Sequence, residues 1–168
     1  MPIISTDIVY RLSGGSGNTD PNASLGGVKS STAIGAGLHN LFDVVSSAES
    51  SAGDTEYRCF YVHNAHATLT MQNSVIWIQS NTTSADTTIE IGLGSSAVNG
   101  TEQTVANEST APAGVTFSAP ANQGAALSIG DIPPGEHKAV WVKRIVNASA
   151  SAYNNDSATI RVQCDISA

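Results

Sequence analysis

Residues 55–64 (TEYRCFYVHN) alternate so that Tyr57, Cys59 and Tyr61 share one face while Arg58, Phe60 and Val62 share the other. Both faces carry bulk, which predicts a central strand. Residues 74–79 (SVIWIQ) and 87–93 (TTIEIGL) read as further strands, separated by the turn-rich NTTSAD. In the second, Ile89, Ile91 and Leu93 point one way and Thr88 and Glu90 the other, giving one buried and one wet face. Residues 126–132, 137–146 and 158–166 continue the series. Earlier in the chain, 8–12 and 41–45 are candidates, and 115–118 is a short one. In IPPGEHK (132–138), Pro133 and Pro134 cannot donate to a ladder and Gly135 supplies a permissive turn position. No segment predicts a helix; 148–152 reaches a turn at most, because Ser and Asn compete with helical hydrogen bonds.

Short strands divided by turn signals predict an all-β chain. The expected architecture is an antiparallel β-sandwich, jelly-roll or immunoglobulin-like, with an extended Gly-rich N-terminal segment. Trp77 and Trp141 are expected between the sheets, where a core with 5% aromatic residues needs large apolar area. The division expected is 1–40, an N-terminal strand and Gly-rich arm or loop, and 41–168, the sandwich domain. Residues 13–40 look least like a core. They read either as a surface loop or as an arm that orders against a partner.

Composition narrows the function classes. The 168 residues include 22 Ser, 15 Thr, 15 Gly and 12 Asn, and only 12% are charged, about half the usual share. A coiled coil or a charged helical bundle is excluded. The 14 acidic residues against 7 Lys and Arg give a formal charge of −7. The basic residues are scattered, with only Lys143 and Arg144 adjacent, so neither nucleic acid nor an anionic membrane is an expected partner. The start, MPIISTDIVYRL, lacks the features of a secretory signal, and no apolar run approaches the roughly 20 residues of a bilayer span. Folding in a cytosol is expected. There Cys59 and Cys164 would be reduced and buried, pairing only if their strands are neighbours.

Candidate chemistry is sparse. Gly14-Gly15-Ser16-Gly17 lacks the spacing of a nucleophile elbow, and GLGSSAVNG (92–100) lacks a phosphate-loop Lys and the third Gly of a dinucleotide fingerprint. His63 and His66, three apart, would face opposite sides of a strand and are expected to cap its end rather than bind metal. Asp54 with Glu56, and Asp86 with Glu90, are carboxylate pairs expected at the surface. No catalytic residue, metal or cofactor is expected, and the chain does not read as an enzyme.

Several fragments taken in order carry a resemblance: IVYRLSGG (8–15), SLGGVKSS (24–31), LFDVVSSAESSAGDTEYRCFYVHN (41–64), TLTMQNSVIWI (68–78), APAGVTFSAP (111–120) and LSIGDIPPGEHKAVWVKRIV (127–146). Their order and spacing resemble a family of tailed-bacteriophage virion structural proteins. The resemblance implies a small β-rich protein that decorates or cements a capsid. Its partner would be the major capsid protein, its self-association a homotrimer, and its location the virion head surface after assembly in the host cytoplasm. The gripping surface would be residues 13–37, with Ser13, Gly14, Gly15, Asn18, Asp20, Leu25 and Lys29 as candidate contacts, together with the loop 97–113. A tail, baseplate or fibre-associated component is the alternative within that setting. A carbohydrate-binding module, with Trp77 or Trp141 exposed, is the alternative outside it.

Overall fold

The computed structural model describes residues 2–166. Its strands are β1 (Ile8–Leu12), β2 (Gly26–Gly27), β3 (Asp54–Asn64), β4 (Met71–Ser80), β5 (Thr87–Leu93), β6 (Glu102–Thr104), β7 (Leu127–Ile132), β8 (His137–Val146) and β9 (Thr159–Ile166). One sheet has the order β1-β3-β8-β5, a second β7-β4-β9, and β2 with β6 forms a short ribbon. All pairings are antiparallel. The all-β sandwich read from the alternation is therefore what the chain forms. Among the described residues no helix is long and apolar enough to cross a membrane.

The main core lies between the two sheets. Phe60 and Val62 of β3, Val140 and Val142 of β8, and Ile89 and Ile91 of β5 meet Met71, Ile76 and Ile78 of β4, with Ile129, Ile132 and Val162. Each fully buried aliphatic side chain contributes about 1.5–3 kcal/mol. The reverse face of the first sheet builds a second core from Cys59, Tyr61, Ala139, Trp141 and Val105, closed by Leu25, Tyr57, Val115 and Phe117. Bulk on both faces of 55–64 thus has its explanation: β3 is sandwiched between sheet and loops.

Both tryptophans depart from expectation. Trp141 sits in the second core, because Val140 and Val142 take the inward positions on either side of it. Trp77 alternates with the inward Ile76 and Ile78, so it faces away from the sheet interface, with the Arg161 guanidinium 5.8 Å from its ring centre. Neither lies between the sheets.

Three local expectations also change. Residues 41–45 form no strand; the segment leads instead into α1 (Ser47–Ala52), which starts in a capping box between Ser46 and Glu49. Residues 115–118 make a single bridge, Ser118 with Ile91. The three-residue β6 gives no alternation to read and forms only because Gly26 and Gly27 lie alongside it.

The Gly-rich segment is not a free arm. Leu12 N–H donates to Thr32, Ser30 N–H to Leu12, and Ile34 N–H to Tyr10, so residues 30–34 run along the outer edge of β1. Where β1 ends, Ser24 and Glu108 take over the edge of β3, accepting from Cys59 N–H and Tyr57 N–H. Chain without a core of its own is held here because it satisfies an otherwise unpaired strand edge.

Two glycines allow this close layering. Gly26 has φ of +94°, and a Cβ there would lie 1.8 Å from the carbonyl oxygen of Gln103. Gly92 pairs with Trp141, and its Cβ would lie 2.6 Å from Val115 Cγ1 and 2.7 Å from Thr116 O. Gly92→Ala should therefore lower stability by about 2–3 kcal/mol. In denaturant titrations the midpoint should fall, and Trp141 emission should shift to the red as residues 115–117 lift away. An unchanged midpoint would contradict the packing described.

Candidate functional site

The structure gathers the seven candidate contact residues into one folded loop, but they do not form one exposed surface. Ser13 is buried: its hydroxyl donates to Cys59 O at 2.8 Å and accepts from Gly26 N–H at 3.1 Å. Leu25 packs into the second core. Asn18 is half-buried and donates through Nδ2 to Ser13 O and Asp20 O. Asp20 is exposed and accepts from Asn22 N–H, starting a short 3-10 turn over Pro21–Ala23. Gly14 is exposed and Gly15 half-buried, with Gly15 N–H donating to Val28 O. Ser13 and Leu25 are thus scaffold positions. Apolar side chains that reach solvent are instead Val28 (48% exposed) and Leu38 (60%), which the Gly content of the segment hid from view.

Lys29 is half-buried, and burial lowers its pKa, with the Arg11 charge adding to the effect. His63 and His137, directly opposite in the β3–β8 ladder, share this end of the sheet. Burial, then the charges of Lys29 and Arg11, hold His63 down to about 4. Its Nδ1 lies 3.1 Å from Glu136 O, while His66 Nδ1 accepts from Thr68 N–H and Leu69 N–H. The two neighbouring histidines therefore serve separate local roles at the strand end.

The loop 97–113 is equally pinned. Buried Glu102 accepts from Ser95 N–H, the Ser95 hydroxyl and Ser96 N–H, and its own N–H donates to the Tyr61 hydroxyl. Burial opposes its charge, yet these donors hold the carboxyl at about 2. A carboxyl held below its unfolded value stabilises the fold above that value, so stability is lost as pH falls from about 4.5 toward 2. The contribution is about 3 kcal/mol at neutral pH. Glu102→Gln should lose it, and the gap between the two proteins' urea midpoints should narrow below about pH 4.5 and close only near pH 2.

The strongest concentration of charge lies elsewhere, at the end of the sheet interface where Phe60 and Val142 give way to Glu56, Arg58 and Arg144. These stand on the same faces as the core residues, Glu56 directly opposite Arg144. Glu56, expected at the surface, is 1% exposed. The correction follows from its register: it is the next inward position after Arg58. Arg144 binds Glu56 Oε2 through Nε and Nη2, donates from Nη1 to Asp43 O at 2.7 Å, and lies 4.8 Å from the Phe42 ring centre. Fully buried Arg58 pairs with Glu108 and sits 5.5 Å from the same ring. Burial pushes the Glu56 carboxyl up, while Arg144 draws it back. Strand alternation alone could have located this group, since it puts Glu and Arg in line with Phe60, Val62, Val140 and Val142.

Arg144→Met should strand a buried carboxylate and cost about 3–5 kcal/mol at pH 7. The deficit should narrow on acidification as Glu56 takes up a proton, because a carboxyl whose pKa is raised by folding costs nothing below its ordinary pKa and its full penalty only above the raised one. A deficit constant from pH 7 to pH 4 would show that Glu56 is not the group stranded.

The other carboxylates differ. Glu90 pairs with Lys143 at 2.9 Å on the reverse face, and Asp86 Oδ2 accepts from Ser151 N–H. Cys59 and Cys164 are free thiols on strands of different sheets, and burial raises the pKa of both. Comparisons with protein-family models, curated proteins and solved structures find no match to this chain.

Proposed function

We propose that this protein is a tailed-bacteriophage virion structural protein that decorates the head, binding the major capsid protein as a homotrimer and stabilising the shell. The reading rests on the ordered fragments described above. The structural observation that supports it most is that segments of the two loops are hydrogen-bonded to the sheet while Val28 and Leu38 stay in water. A loop ordered before binding loses little conformational entropy on attachment. Many weak copies on a repeating shell then add by avidity. The carbohydrate alternative draws no support from its aromatic platform, since Trp141 is 0% and Trp77 7% exposed.

Purified protein mixed with expanded, undecorated heads should bind to saturation at a fixed ratio and raise the temperature at which the shells open. Val28→Asp with Leu38→Asp should weaken that binding about tenfold, equivalent to about 1.4 kcal/mol, with little change in the melting temperature of the free protein. Failure to bind heads, with immunogold labelling of tails instead, would move the protein to the tail or baseplate. Sedimentation equilibrium of the free protein tests the trimer.

A further inference from the structure

We propose that Glu49, Asp54 and Glu56 form a calcium site where α1 joins β3. One carboxylate oxygen from each lies within 4.8 Å of the others. Two oxygens bound to one Ca²⁺ at 2.3–2.6 Å are separated by at most about 5 Å, so the three already fit around a common ion. Gly53, at φ of +80° and with its N–H on Glu49 O, turns the chain so that the helix residue meets the first residues of the strand.

A second observation concerns Glu56, which also belongs to a carboxylate group with Asp43 and Glu108, both of them paired to arginine. Glu56 is 1% exposed, Arg144 occupies its Oε2, and its Oε1 is buried with no hydrogen-bond partner among the described residues. An orphaned carboxylate oxygen in such a place is costly unless something positive meets it. The local cations do not suffice. Five carboxylates (Asp43, Glu49, Asp54, Glu56 and Glu108) gather around two guanidiniums. Arg58 is engaged by Glu108, and Arg144 by Glu56 and Asp43. Among the described residues Glu49 and Asp54 have no basic partner; each accepts from one backbone N–H, of Ser46 and Thr55 respectively, through one oxygen, leaving the other free among those residues. Carboxylate oxygens without His or Cys suit a hard cation. Three ligands in an irregular strand-and-turn setting, completed by water, suit Ca²⁺ better than octahedral Mg²⁺.

Chelator-treated full-length protein titrated with CaCl₂ in a calorimeter should bind one ion with a dissociation constant of about 1 mM or tighter, and its melting temperature should rise with CaCl₂. MgCl₂ should bind more weakly. Glu49→Gln and Asp54→Asn should each weaken Ca²⁺ binding about tenfold or more. In chelator both variants should melt no lower than the parent, since each removes a charge from an uncompensated cluster. That arm separates a lost ligand from a damaged fold. No saturable heat and no thermal shift up to about 10 mM CaCl₂ would overturn the site, as would binding that survives both substitutions.

Discussion

From Asp54 opposite Val146 to His63 opposite His137, β3 and β8 run antiparallel through ten residue pairs, and their central residues bury both faces. Cys59 to Val62 and Ala139 to Val142 are all closed to solvent. This doubly covered pair is the constraint to which the other elements answer. Its inward face demands the β7-β4-β9 sheet, and its outward face demands the layer of loops carrying Leu25, Val105, Val115 and Phe117. Glycine at 26 and 92 is the local consequence, since chain must approach chain closely enough to cover Tyr61 and Trp141.

The connections follow from the same requirement. None of the long strands pairs with its neighbour in sequence, and the chain passes between sheets from β3 to β4, β4 to β5, β7 to β8 and β8 to β9. Pairing is therefore non-local throughout, a topology associated with slow folding. The loops that cover β1, β3 and β5 also occupy backbone groups that would otherwise template another strand.

Polar chemistry is distributed by burial rather than by sequence proximity. Glu102 keeps its charge because neighbouring serine N–H and hydroxyl groups converge on it, whereas burial raises the Glu56 pKa against the pull of Arg144 and Arg58, and one Glu56 oxygen stays unsatisfied among the described residues. One carboxylate is a finished structural lock. The other is the point where the end of the sandwich still has binding capacity, and it adjoins Glu108 of the 97–113 loop.

The amino-acid sequence by itself determined the seven longer strands, to within about three residues at their ends, and the sandwich class, because period-two alternation is a local property of a pleated chain. It also placed Glu56 and Arg58 in register with Phe60 and Val62, though their inward burial was not read from it. Tertiary structure decided which strands pair, that Trp141 faces the loops and Trp77 lies buried on the face of its sheet away from the interface, and that residues 13–34 fold onto β1 and β3 rather than extend. Glycine, serine and asparagine carry little hydrophobic pattern, so their positions are set by the edges and carbonyls they meet only once the sheets exist. The cluster of Glu49, Asp54 and Glu56 arises the same way, from a helix end turned onto a strand, which alternation along a single strand does not encode.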